Sequence, residues 1–258
     1  MATPLPGVTP QCDFALVIGQ SLAVVYPPSP QAPVLPHGHG IFFDTGGWKD
    51  LTQNGVSAGG FFAAFAQTWF AATGRTFGFV PTAVGGTGLL PNAGDNGENW
   101  SVNGNLLPAA LSKCAAALQA LTGTTVRTHS CIMDQGQHDA NQINAGNSAV
   151  TKADYQAALI ALRHKVRDDT GHAAFFISRC GTDPSVSDIG YAAIRSAHDA
   201  VTYPADENTF VVFDEALYWT VYGMQDQTSP VHPSQAGYNL MGSTMATRMR
   251  RVFAPMGF

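Results

Sequence analysis

The stretch "FALVIGQSLA" (14–23) ends an apolar run on Gly19, Gln20 and Ser21, and a proline-rich segment follows at once. A serine hydroxyl attacks a carbonyl only when a base, most often histidine, takes its proton. The oxyanion that forms needs donors already in place, and losing one costs about 3 kcal/mol. Three other stretches hold the remaining parts. "AVGGTG" (83–88) offers the backbone N–H of Gly86, "MDQGQHDAN" (133–141) the side-chain amide of Gln135, and "SPVHP" (229–233) the imidazole of His232. The N–H of Ser21 completes the donor set. Singly, each has a plainer reading: a turn serine, a glycine turn, a His-Pro helix start. Their chemistry depends on being gathered in one place.

The elements between them provide for that. Apolar runs at 14–19, 77–80, 125–133, 173–178 and 210–214 read as strands. Helical periodicity fills the gaps. A phenylalanine-rich helix is expected from Ser57 to Thr73, closed by Gly74. The next carries Leu107, Leu111, Cys114, Leu118 and Leu121. Thr151 and Asp154 form a capping box ahead of Tyr155, Leu159, Leu162 and Val166, and Gly171 closes that helix. Tyr191, Ile194, His198 and Val201 share another face, and a last helix runs from Ser234 to Val252. Strands alternating with helices imply a parallel sheet covered on both faces. The expected fold is a single three-layer α/β/α domain over residues 13–258, with a five-stranded, mostly parallel, flavodoxin-like sheet and residues 1–12 as an N-terminal extension. Ligands of such sheets bind beyond the carboxyl ends of the strands. Ser21, Gly86, Gln135 and Asp214 each follow a strand, and His232 precedes the last helix.

Composition narrows the partners. Hydrophobic residues make up 45% of the 258, and 13 basic residues stand against 18 acidic ones, for a net charge of −5. No basic stripe is present, and "RMRR" (248–251) suits the last turn of a helix. Neither nucleic acid nor a membrane is expected as a partner, since no run reaches the roughly 18 apolar residues of a membrane span. The first residues carry no signal-peptide pattern. The compartment stays open among extracellular, periplasmic and phage-associated. Cys12, Cys114, Cys131 and Cys180 lack C-x-x-C spacing and read as buried thiols. His37 and His39 have no carboxylate or cysteine beside them in sequence, and neither metal nor organic cofactor is expected.

"GVSAG" (55–59) matches the G-x-S-x-G elbow of α/β-hydrolases. An elbow needs a hydrophobic strand directly before it, and "KDLTQN" is none, so Ser57 reads as a helix start. "GGTG" lacks the lysine of a phosphate-binding loop.

"VIGQSLA", "TAVGGTGL", "MDQGQHDAN" and "SPVHPSQAGYNLMG" resemble, in order and spacing, the motifs of the SGNH (GDSL-like) hydrolases. The similarity is to the branch of carbohydrate esterase family 6 and the sialate O-acetylesterases, and spans residues 13 to 253. The resemblance implies Ser21 as nucleophile, His232 as general base, and Ser21, Gly86 and Gln135 as oxyanion donors. It also implies a short-chain acyl ester, an O-acetyl group on a carbohydrate, as substrate. Gln20, Thr87 and His138 are expected around the substrate. Three positions depart from the branch: Leu22 replaces asparagine, Gln137 replaces glutamate, and Ser229 stands where the acid of D-x-x-H belongs. Asp226 is the favoured triad acid, with Asp139, Asp214 or a bare Ser-His dyad as alternatives. The departures also keep open a catalytically decayed carbohydrate-binding module. A lipase or thioesterase is the enzymatic rival.

Overall fold

The computed structural model describes residues 7–45, 47–121, 123–226 and 231–256. Strand β1 (Gln11–Gly19) lies between β7 (Thr76–Pro81) and β8 (Thr125–Asp134), parallel to both. Beyond β8 come β9 (Ala174–Ser178) and β10 (Thr209–Phe213), also parallel. These five are in the order 2-1-3-4-5 expected of a flavodoxin-like sheet. Two further strands extend the other side to seven: β3 (Gly40–Asp44), parallel to β7, and β4 (Gly47–Asp50), antiparallel at the edge. They arise from a segment whose glycines read as loop. Strands β2 (Tyr26–Ser29), β5 (Thr52–Gln53) and β6 (Val56–Gly59) form a small antiparallel sheet.

Helices cover both faces. Along β1, Phe14, Leu16 and Ile18 face one side, where they join buried residues of α2 (Leu106–Ala120), α4 (Lys152–Thr170) and α5 (Ile189–Val201). Ala15 and Val17 face the other, with α1 (Phe62–Thr73) and α6 (Gln235–Phe253). This period-two alternation, buried on both faces, explains why β1 reads as one continuous apolar run. Full burial of each large side chain contributes about 1.5–3 kcal/mol. Among the described residues no helix is long and apolar enough to cross a membrane.

Local signals act as the sequence suggests at most helix ends. Thr151 accepts from the N–H of Asp154 at 3.1 Å, and Ser234 caps α6. The first helix differs. It starts at Phe62, not Ser57, because residues 56–59 pair with β2. Gly59 and Gly60 are poor helix formers at that junction. The short helix α3 (Gln137–Asn144) escapes periodicity because its sequence, QHDANQIN, is polar. All four cysteines are buried and free.

Candidate active site

The carboxyl ends of β1, β7 and β8 converge beneath Ser21. The chain leaves β1 at Gly19 with φ of +124°, and a Cβ there would lie 1.9 Å from the carbonyl oxygen of Asp134. Glycine is therefore required, and it lets β1 turn sharply against β8. Gln20 donates its N–H to that same carbonyl at 2.9 Å. Ser21 then opens a single 3₁₀ turn, Ser21–Ala23. The first N–H of such a turn has no partner within it, and that of Ser21 donates to no other described group.

His232 sits just before α6, with Nε2 2.8 Å from Ser21 Oγ. Its position is set by a chain reversal. Gln225 bridges Pro233, the N–H of Asp226 donates to the carbonyl of His232 at 2.9 Å, and that of Ser234 to Met224 at 2.7 Å. Asp226 is thereby carried back beside His232. Burial lowers the imidazole pKa below its ordinary value, and the Asp226 carboxylate acts in the opposite sense. His232 borders a cavity of about 250 Å³ on the Ser21 side and another of about 320 Å³ that Asp226 helps to line. Ser229 lies outside the described residues.

The rival carboxylates are engaged elsewhere. Asp139 is fully buried and accepts the N–H groups of Leu89 and Leu90 at 2.9 and 3.0 Å, holding the loop after β7. Asp214 pairs with Arg248 at 2.6 Å.

The Gly85-Gly86-Thr87 turn follows β7. Gly86 has φ of +77° and donates its N–H to no described group. Gln20, Gly86 and His138 line the cavity with Ser21 and His232. Gln135, expected as an oxyanion donor, and Thr87, expected at the substrate, lie behind that lining. The Gln135 amide is fully buried and donates to the carbonyl of Thr87 at 2.8 Å, so it braces the turn from below. Thr87 is buried, its hydroxyl tied to the carbonyl of Val84 and the indole N–H of Trp100. Of the aromatics in the loops, Trp100 is core and Trp48 packs on Phe14 and Phe43, while Tyr26 lines the larger of these two cavities.

Asp95, Asn141 and Tyr191 also line the cavity, and sequence reasoning placed none of them there. Asp95 carries no motif; Asn141 lies on the unpredicted α3, and the recognition of that helix would have placed it. The floor of the site is Asp134, almost wholly buried, which accepts from the Gln137 amide at 3.2 Å. Burial pushes its carboxyl up to about 6. The alternative serine is buried in another way: Ser57 Oγ is bonded to the carbonyl of Pro33 and to Thr52 Oγ1.

Comparison with known proteins gives the family and the fold. The sequence pattern of the family described as carbohydrate esterase, sialic acid-specific acetylesterase, matches residues 41–251. No curated protein matches by sequence. Among solved structures, a protein from Arabidopsis thaliana superposes with a TM-score of 0.65 at 15% identity, over 92% of this chain and 96% of its own. NanS gives 0.63 at 13%, over 99% and 100%. A carbohydrate acetylesterase from Xanthomonas citri gives 0.59 at 17%, over 93% of this chain and 56% of its own. At these identities the likeness establishes the α/β/α fold.

Proposed function

From the premise that the chain belongs to the sialic acid-specific acetylesterase family of carbohydrate esterases, and is a carboxylic ester hydrolase of the SGNH type, we propose that it removes short acyl groups, O-acetyl above all, from a carbohydrate through a Ser21–His232–Asp226 site. The observation that carries this reading is the 2.8 Å contact between Ser21 Oγ and His232 Nε2 at the carboxyl edge of the sheet. Ser21 Oγ attacks the acyl carbonyl carbon while His232 Nε2 takes its proton. The oxyanion is received by the N–H groups of Ser21 and Gly86. His232 then returns the proton to the departing sugar oxygen. Water enters and attacks the acyl carbon as His232 takes its proton; the bond to Ser21 Oγ breaks, the acid leaves, and His232 returns the proton to Oγ.

Asp226 orients the ring and stabilises the imidazolium formed in each half-reaction. Gln135 serves here as the brace that keeps the Gly86 N–H aimed, in place of the third donor expected from sequence. The acetyl preference and the sugar come from the family and from the carbohydrate acetylesterase among the structural neighbours. The retained nucleophile, base and backbone donors weigh against a decayed binding module.

The decisive assay uses 4-nitrophenyl acetate. Ser21→Ala is expected to lower kcat by about 10⁴-fold or more, with Ser57→Ala, measured below its melting temperature, still active. Loss of activity in Ser57→Ala with Ser21→Ala intact would move the nucleophile to the other serine. No hydrolysis of any acetyl ester, with retained glycan binding, would return the binding-module reading.

A further inference from the structure

Asp95 reaches the Ser21 cavity from the loop after β7 and has no part in the triad. Its N–H donates to the carbonyl of Gly86 at 2.9 Å. Its Oδ2 lies 2.8 Å from where a Cβ on Gly86 would stand, so the carboxylate sits over the oxyanion turn. Its side chain is 67% exposed, with Oδ1 3.4 Å from His138 Nδ1. No lysine or arginine of the chain lines this cavity, and the undescribed segments contain neither residue type. Basic groups on the strands and helices nearby are turned to other partners. Arg195 holds Asp188 and the carbonyl of Gly181, Arg179 holds Asp199, and Arg248 holds Asp214 and Glu215. The permanent charge facing a bound ester is therefore negative.

We infer that Asp95 is a specificity-determining residue that fixes the charge class of the substrate: the site takes acyl esters of neutral or amino-bearing sugars and rejects esters that carry a carboxylate. This rests on the esterase reading above and deepens it, because the family description names sialic acid, an anionic sugar, for which this cavity offers no cation. A repulsive group against the wrong ligand is as effective as a new contact to the right one. A carboxylate held about 6 Å from Asp95 in a half-exposed cavity is disfavoured on the order of tenfold.

The test compares three acetyl esters, 4-nitrophenyl acetate (neutral), 4-acetoxybenzoate (anionic) and acetylthiocholine (cationic), on the unmodified protein, Asp95→Asn and Asp95→Lys. Each ester is read as its kcat/KM in the variant over that in the unmodified protein, which removes differences in leaving group. In Asp95→Lys the anionic ester should gain at least tenfold on the neutral one and the cationic ester should fall. Asp95→Asn should move the same way by about threefold, and 0.5 M salt should compress both effects. Equal changes for all three esters would mean that Asp95 acts only on the oxyanion, and would overturn the inference; so would no change. Ser21→Ala, which should silence all three, tests the esterase reading separately. If the unmodified protein hydrolyses none, saturation-transfer NMR with glucosamine, glucose and N-acetylneuraminate reads the same filter by binding. The expected order is glucosamine, glucose, N-acetylneuraminate, reversed in Asp95→Lys, and an order indifferent to that substitution would overturn it.

Discussion

In the proposed reaction His232 has to be neutral to accept the Ser21 proton, and its surroundings favour that state. Burial holds its pKa below the ordinary histidine value near 6.5. A base whose protonated form is inactive loses activity as pH falls through its pKa. The acid limb of kcat/KM should therefore lie below about pH 6.5. Asp226 raises that pKa, so Asp226→Asn should shift the limb to lower pH while kcat falls, by up to about 10⁴-fold. A merely structural residue would lower the rate without moving the limb. Asp139→Asn and Asp214→Asn should leave the limb in place, because their carboxylates are occupied by Leu89 and Leu90 and by Arg248. A limb that moves with either substitution would transfer the orienting role. The meeting of Ser21 and His232 was legible in the sequence because parallel strands send their carboxyl ends to one edge. The approach of Asp226 was less so, since it depends on the reversal between Met224 and Ser234, which no periodicity encodes.

At the scale of elements, strands β1, β7, β8, β9 and β10 and five of the six α-helices among the described residues were legible because their apolar periods are long and clean. The misses share one physical cause: short or polar segments whose structure is imposed by neighbours. Strands β3 and β4 are held by pairing to β7 and to each other, and α3 by its packing on α5 and the bonds of Asn141 and Asn144 to Tyr191 and Gly190. Next to α3, Asp134 at the end of β8 is almost wholly buried, and the Ser178 and Gln137 side chains that favour its charged form do not offset that burial. Its folded pKa of about 6 exceeds the unfolded value of 3.8, chiefly through burial. The sign follows. Below about pH 3 the group is protonated in both states and costs nothing. Between 3.8 and about 6 the unfolded state ionises while the folded state keeps its proton, so stability falls by about 3 kcal/mol, at 1.36 kcal/mol per pKa unit, and levels off above that. Asp134→Asn keeps the acceptor for Gln137 and removes the charge. In urea unfolding it should match the unmodified protein at about pH 3 and exceed it by about 3 kcal/mol at pH 8. A variant no more stable at pH 8 would show that the site accommodates the ionised carboxylate.

Across the whole molecule, the two ends of the sheet treat buried carboxylates in opposite ways. At the end away from Ser21, Asp13 is fully buried yet receives three donors, the indole N–H of Trp69, Arg75 Nε and the Thr128 hydroxyl, each at 2.7 Å. Those donors come from α1, the turn into β7, and β8, so one side chain ties the central strand to both neighbours and to the covering helix. At the other end Asp134 is almost as deeply buried, with no cation paired to it among the described residues, and burial raises its pKa. Breaking a buried ion pair by removing one partner costs about 3–5 kcal/mol, because the other charge is left uncompensated. Asp13→Ala strands Arg75, and should lower the melting temperature by roughly 10 °C, at about 2–4 °C per kcal/mol for a chain of this size. Asp13→Asn, which keeps an acceptor and loses the charge, should fall between. Both variants, assayed below their melting temperatures, should keep the kcat of the unmodified protein, since Asp13 opens β1 and Ser21 follows its far end. A kcat that falls along with the melting temperature would mean that the strand transmits the disturbance along its length to Ser21.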